Sequence, residues 1–158
     1  MEKLQQPIPL LLDDPPSVCT KDYVNALILN EAGQALVFEK SSPDKSRIHW
    51  HMLDQYLTHD ADPFALIQQA LLQNTGYETA VWSYLGSHMM ATDRPAGIGY
   101  FFCAQQARRT ITRRLDTPKA TAIKWVSLKD LRYALIDGRI ATMSHALTVS
   151  LSLLTLLK

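Results

Sequence analysis

Hydrophobic and polar residues alternate in several short segments of the chain, a pattern that predicts β-strands. In YVNALILN (23–30) the alternation places side chains on two faces, one set being Val24, Ala26 and Ile28 and the other Asn25, Leu27 and Leu29. Turn-forming residues occupy 30–33, and an apolar run at 36–38 follows, which predicts a hairpin. HWHML (49–53) and GIGYFFCAQ (97–105) predict further strands.

Two segments have the period of an amphipathic helix. The first begins with Asp62 as N-cap and Pro63 at the first helical position, and Gly76 suits the left-handed residue that ends it. The second begins after Ser127 and ends at Asp137-Gly138, with Asp130 at capping-box spacing. Its predicted inner face is Leu128, Leu131, Leu135 and Ile136.

A third helix, over residues 142–157, is apolar on nearly every side. Such a helix needs a second surface to cover it. We expect either a homodimer interface or a helix buried between the sheet and the N-terminal arm of the same chain. The arm is predicted over residues 1–20, which hold four prolines, and the domain over residues 21–158.

The composition of the 158 residues indicates one globular domain, with 47% hydrophobic and 20% charged residues. A net charge of +1 does not favour nucleic acid or a membrane surface as partner. Cys19 and Cys103 form no disulfide framework, and the N-terminus lacks the pattern of a signal peptide. We therefore predict a cytoplasmic protein.

Residues 53–77 carry a resemblance to a known family. An aliphatic strand end, a polar loop, Asp-Pro, an apolar-striped helix and Thr-Gly-Tyr follow one another there, and the later AIKWVSLKDL (122–131) is similar to a closing strand and helix of the same family. The family is the Nudix hydrolases, and the closing element is most similar to the branch that hydrolyses ADP-ribose. The resemblance runs from residue 23 to the C-terminus and implies an α/β/α sandwich with a mixed β-sheet.

The Nudix motif contains a Gly, a Glu and then Arg-Glu-apolar-x-Glu-Glu-x-Gly-apolar at fixed spacing. When it is anchored on Gly76, only Leu71, Gly76 and Tyr77 match. The motif Gly falls on Gln55, and its charged positions, in chain order, fall on Ala61, Gln69, Ala70, Gln73 and Asn74. The chain therefore resembles the family with a degenerate motif.

The missing carboxylates bear directly on the chemistry that the resemblance implies. A Glu-x-x-Glu-Glu row lies on one helix face and holds Mg²⁺ against a pyrophosphate. No Asp or Glu lies between Pro63 and Tyr77. The leading hypothesis is an inactive Nudix-like protein that binds a nucleoside-diphosphate-type ligand, with no catalytic residue, metal ligand or cofactor assigned.

Two other functions remain open. One is an active pyrophosphohydrolase that uses Mg²⁺ with relocated ligands, for which His51, Asp54 and His59 are candidates. The other is a dimeric regulatory or interaction module. It would use the apolar last helix and the arginine pairs at 108–109 and 113–114, which otherwise guard a sheet edge.

Four residues are candidate ligand contacts. Trp50 and Asp54 adjoin the motif segment, and Asp93 and Arg94 lie in a loop that lines the substrate site in relatives of the ADP-ribose type. Asp93-Arg94-Pro95 is also an ordinary turn sequence. The identity of the ligand is not encoded in any of these residues.

Overall fold

A computed structural model describes residues 21–110 and 122–156 of the chain. In these ranges the chain forms eight strands and three helices, in the order β1 (Tyr23–Asn30), β2 (Ala35–Ser41), β3 (Ile48–His51), β4 (Leu53–Tyr56), α1 (Pro63–Thr75), β5 (Tyr77–Glu78), β6 (Val81–Met89), β7 (Ile98–Arg109), β8 (Ala122–Val126), α2 (Leu128–Asp137) and α3 (Met143–Leu156). The predicted arm at 1–20 lies outside the described residues.

The described strands form one mixed sheet around β1 and β7, which run parallel. The antiparallel strands β5 and β6 also pair with β7. The other edge of β1 is shared: β4 pairs with its first half, and β2 meets its end, where Leu29 faces Ala35. β2 also pairs with β3 and β8, and these two strands lie on opposite edges of β2, because Phe38 and Glu39 have a partner in each.

The sheet divides at Met52, between β3 and β4. The chain pairs with β2 before this residue and with β1 after it. The Met52 N–H is buried and donates to Nδ1 of His145 on α3, with a nitrogen–nitrogen distance of 3.3 Å. A helix side chain therefore satisfies a main-chain donor at the point where the strand changes partner.

The alternation of β1 assigns a different helix layer to each face of the sheet. Val24, Ala26 and Ile28 pack in the cluster that contains Ile67 and Leu71 of α1. Leu27 and Leu29 pack in a second cluster, with Leu131 of α2 and Val149 of α3. The architecture is the predicted α/β/α sandwich with a mixed sheet.

The predicted helix ends are confirmed for α1 and α2. Asp62 accepts hydrogen bonds from the N–H groups of Phe64 and Ala65, with Pro63 in the first turn, and Gly76 closes α1 in the left-handed conformation at φ 76°. Ser127 caps α2 by accepting from the Asp130 N–H, and Gly138 ends that helix at φ 88°.

The predicted inner face of α2 is wrong at one position. Ile136 is 85% exposed, whereas Ala134 is fully buried. At 3.6 residues per turn, Ile136 lies roughly 140° around the helix from Leu131, so both cannot face the core. Ala134 is close to Leu131 on the helix surface and takes the core position instead.

Helix α3 packs both polar and apolar side chains against the sheet. His145, Thr148 and Ser152 are buried, together with Val149 and Leu153. The hydroxyls of Thr148 and Ser152 donate to carbonyl oxygens one turn back in the same helix, so their burial leaves no donor unpaired. No described helix is long and apolar enough to cross a membrane. The predicted dimer stays a prediction.

Candidate functional site

A cavity of about 540 Å³ lies on the α3 side of the sheet, and we call it the α3 pocket. Two strands and a helix end supply its walls. Its lining consists of Tyr23 and Asn25 from β1, residues 54–56 from β4, Met90 after β6 and residues 142–144 at the start of α3. It lies on the opposite face of β1 from α1, because Asn25 alternates with the residues that contact α1.

Asp54 is held in the pocket wall by the buried His145. The distance from His145 Nε2 to Asp54 Oδ2 is 2.9 Å. Since the Met52 N–H donates to Nδ1, that nitrogen offers its lone pair and the ring hydrogen resides on Nε2. His145 therefore donates to Asp54, and its orientation is determined from both sides of the ring.

A second histidine lies against this pair. The rings of His51 and His145 meet edge to face, with centroids 5.4 Å apart. Burial lowers the pKa of His51, and the nearby His145 and Lys40 lower it further, outweighing the opposite effect of Asp54. His51 is therefore held in its neutral form more strongly than an exposed histidine.

Asn25 is the most unusual residue of the pocket. It is 1% exposed, and neither its amide nitrogen nor its amide oxygen has a hydrogen-bond partner among the described residues. Buried side-chain amides are nearly always bonded. Asn25 faces Asp54 directly across the antiparallel β1–β4 pair, so an unpaired amide and a carboxylate lie side by side.

Two tyrosines add aromatic surface to the pocket. Tyr23 faces Gly99 across the β1–β7 pair, and a Cβ atom at Gly99 would lie 2.5 Å from the Tyr23 ring. The glycine therefore leaves room for the ring to lie over β7. Tyr56 is at the rim, where the Lys21 ammonium lies 5.8 Å from its ring centroid.

The residues aligned with the Nudix motif are spread over several environments. Gln55 lines the α3 pocket, and Ala61 lies half-buried in the loop before α1. On α1, Ala70 is buried against the sheet, while three amides are exposed: Gln69, Gln73 and Asn74. Gly76 ends the helix as described above.

Of the four predicted ligand contacts, only Asp54 lines the α3 pocket. Trp50 is buried between Glu39, to which its Nε1–H donates at 3.0 Å, and the Arg139 guanidinium, 4.3 Å from its ring centroid. Asp93 and Arg94 are exposed in the loop between β6 and β7. Trp50 therefore has a full set of structural contacts.

The relocated metal site is not assembled in the described part of the chain. His59 is almost fully exposed, and its Nε2 lies 3.7 Å from Asp60 Oδ2. Within residues 21–110 and 122–156, no three His, Cys, Asp or Glu side chains are grouped so that they could hold a metal ion. Arg113 and Arg114 lie outside these ranges, and Arg108 is 3.6 Å from Glu31.

Sequence reasoning missed Asn25 and His145 as site residues. A signal for Asn25 was present, because it shares a strand face with Leu27 and Leu29 and is the one polar residue of that set. His145 gave a weaker signal, since a single histidine in an apolar helix does not reveal its partner. Its contact with Asp54 joins residues 91 positions apart.

Comparison with solved structures identifies the fold of the chain, whereas comparison of sequences does not. No protein-family model matches the chain, and no curated protein matches it in sequence. Solved structures do match it, and two of them illustrate the likeness over most of its length. One is an ADP compounds hydrolase, with a TM-score of 0.69, 11% identity, and coverage of 86% of this chain and 72% of that chain.

A second similar structure is a NUDIX hydrolase from Nitrosomonas europaea, with a TM-score of 0.63 and 15% identity. The match covers 85% of this chain and 89% of that chain. At these identities the likeness concerns the fold alone. The chain is therefore a mixed α/β sandwich, and in particular a Nudix-fold protein.

Proposed function

We propose that this Nudix-fold protein binds a nucleoside-diphosphate-type ligand and does not hydrolyse it by the metal-dependent route of the family. The main support is α1, which has no carboxylate from Pro63 to Thr75. At the three positions aligned with metal-binding glutamates stand a buried methyl group, Ala70, and two exposed amides, Gln73 and Asn74. These donors do not fit Mg²⁺, which prefers carboxylate and phosphate oxygens.

The expected loss of rate is large. Removal of a general base costs about 10²–10⁴-fold, and loss of the metal charge costs several kcal/mol more. Since each 1.36 kcal/mol is about tenfold in rate, the two losses together leave turnover near the uncatalysed background. Ligand binding does not depend only on the groups that α1 lacks, because the α3 pocket lies on the face of the sheet opposite α1.

A hydrolysis and binding panel tests the proposal. ADP-ribose, a nucleotide sugar and a nucleoside triphosphate are incubated with Mg²⁺ or Mn²⁺, and binding of each compound is measured by calorimetry. We expect saturable binding of at least one compound with no metal-dependent turnover. Metal-dependent turnover by the unaltered chain would overturn the proposal.

A gain-of-charge variant tests the role of α1 separately. Gln73→Glu/Asn74→Glu restores two carboxylates at exposed positions, and Gln68→Glu/Gln69→Glu adds the same charge elsewhere on the helix. We expect Mn²⁺ affinity, measured by electron paramagnetic resonance, to rise only in the first variant. Equal affinity in both variants would show that Gln73 and Asn74 do not mark a metal position.

One alternative is a hydrolase with relocated ligands, and the observation that favours it is the carboxylate of Asp54 at the α3 pocket. It predicts turnover in the panel and loss of that turnover in Asp54→Asn. A control, Asp60→Asn, changes an exposed loop carboxylate and leaves turnover unchanged. Absence of turnover in the unaltered chain excludes this alternative for the compounds assayed.

A second alternative is an interaction module. The outer side of α3 presents apolar residues one turn apart, of which Met143 and Leu154 are strongly exposed and Leu147 and Leu151 half-buried. This stripe favours a partner surface. The solution mass of the full chain tests it: a dimer that Leu154→Glu dissociates supports the module, and a monomer opposes it.

A further inference from the structure

The wall of the α3 pocket contains the side-chain amide of Asn25, which has no hydrogen-bond partner among the described residues. A buried amide without partners destabilises the folded chain, unless a ligand supplies the missing hydrogen bonds. The amide places an NH2 donor group and a carbonyl acceptor side by side. Its complement in a ligand is therefore an edge that carries an acceptor next to an N–H donor.

Asp54 adds a second acceptor beside Asn25. The two residues are direct cross-strand partners, so their side chains extend from adjacent points of the same sheet face. His145 occupies one acceptor direction of Asp54 Oδ2 and holds the carboxylate in place. A carboxylate has about four acceptor directions, so capacity remains for a ligand N–H.

The charges of the described pocket lining do not suit a phosphate, although the Lys21 ammonium lies near Tyr56 at the rim. The described lining contains one carboxylate, Asp54, and no Lys or Arg side chain. The N-terminal end of α3, at residues 142–144, carries a partial positive charge, but Asp54 in the same wall offsets that charge. The electrostatics therefore favour an uncharged group that donates hydrogen bonds.

The apolar part of the lining suits a flat ring. Tyr23 offers an aromatic surface beside Asn25, and Tyr56, Met90 and Met143 are all more than half exposed at the rim. Aromatic rings and methionine thioethers pack favourably on planar heterocycles. The cavity of about 540 Å³ is within the range of small-molecule sites.

We propose that the α3 pocket binds a planar, uncharged nitrogen heterocycle whose edge carries N–H donors beside a carbonyl oxygen, with Asn25 and Asp54 as the residues that select it. The proposal deepens the function above, since it takes this ring to be the heterocyclic end of the nucleotide-type ligand. It places the phosphates outside the pocket. His145 is a positioning residue that acts through Asp54.

Uncharged nucleosides test this proposal without any phosphate. Guanosine offers a carbonyl beside two kinds of N–H donor, which can serve both Asn25 and Asp54, and inosine offers a carbonyl and one N–H. Adenosine offers a ring nitrogen beside one amino group, which can pair with Asn25 but leaves Asp54 without a ring N–H donor. Calorimetry with the full chain is expected to give affinities in the order guanosine, inosine, adenosine, with at least about tenfold between the first and the last, the effect of one hydrogen bond of about 1.4 kcal/mol. Equal affinities for guanosine and adenosine would overturn the proposal.

Two variants test whether Asn25 and Asp54 select the heterocycle. Asn25→Val is expected to reduce guanosine affinity at least about tenfold, and Asp54→Asn to reduce guanosine affinity more than inosine affinity, because only guanosine has the additional amino group. Thr148→Val, a change at a buried polar residue whose hydroxyl is already bonded within α3, serves as control and leaves guanosine affinity unaltered. Unchanged affinity in Asn25→Val contradicts the proposal.

Two outcomes separate this inference from the proposed function. If ADP-ribose binds but no nucleoside does, and inorganic pyrophosphate competes with ADP-ribose, the ligand is held by its phosphates and the inference fails while the proposed function stands. If neither nucleosides nor nucleotides bind, both fail. Thermal unfolding of Asn25→Val, and Asn25→Ser as a smaller polar change, confirm that losses of binding occur in folded protein.

Discussion

Asn25→Val is expected to stabilise the ligand-free protein, although it replaces a residue of the pocket. The amide is 1% exposed and has no hydrogen-bond partner among the described residues. Burial of such a group without partners costs about 1–3 kcal/mol. Valine removes that cost, and its branched side chain suits the central strand β1 better than asparagine does.

The expected gain is about 1–2 kcal/mol in the free energy of unfolding, because the branched valine side chain does not match the shape of the planar amide and part of the benefit is lost in packing. For a domain of 150–250 residues, 1 kcal/mol corresponds to roughly 2–4 °C in Tm, so the rise in Tm is about 2–8 °C. This sign is opposite to that of most substitutions at fully buried positions.

Urea unfolding followed by circular dichroism measures the change. Thr148→Val is a matched control, because Thr148 is equally buried but its hydroxyl donates to the Ser144 carbonyl at 2.8 Å. We expect this control to lose stability by about 0.5–1.5 kcal/mol. A loss of stability in Asn25→Val as well would refute the reasoning, since it would mean that the Asn25 amide is satisfied in solution.

Three further predictions concern the rest of the fold. Asp62→Ala removes the acceptor for the Phe64 and Ala65 N–H groups and should cost about 0.5–2 kcal/mol in urea unfolding; no change would mean that water caps α1 equally well. Hydrogen bonds from Ser42 and Ser46 lower the pKa of Asp44 from 3.8 to about 2, so their contribution to stability is present above pH 3.8 and lost as the pH falls towards 2. In Ser42→Ala, NMR titration should show the pKa of Asp44 closer to 3.8, and an unaltered value would contradict this origin. Burial raises the pKa of the Cys103 thiol, so in a Cys19→Ser background it should react with a thiol reagent only after unfolding; rapid reaction of the folded protein would contradict its burial.

The helix and strand layout was accessible from local pattern. Asp62-Pro63 and Gly76 predict the two ends of α1, since capping depends on residues within one turn of the helix end. The two-faced alternation of β1 predicts which side chains meet α1 and which meet the other helix layer. The inner face of α2 was predicted less well, because Ile136 and Leu135 are adjacent in sequence and hydrophobicity alone does not choose between them.

The candidate site was accessible only in part. Asp54 was predicted as a ligand contact and lines the α3 pocket, whereas Trp50 is buried by Glu39 and Arg139. Sequence proximity does not reveal these contacts of Trp50, because Glu39 lies in β2 and Arg139 lies just after the end of α2. The indole is thereby enclosed by its own chain.

The sequence by itself determined the elements of this protein and the absence of carboxylates on α1, because periodicity, caps and residue identity are properties of neighbouring positions. Only the tertiary structure decided what Asn25, Asp54 and His145 do together. Strand pairing places Asn25 beside Asp54, and α3 returns over the sheet to bring His145 to both Asp54 and the Met52 N–H. Each hydrogen bond of His145 joins residues more than 90 positions apart in the chain. The Asn25 amide is seen to be unpaired only when the positions of all neighbouring polar groups are known.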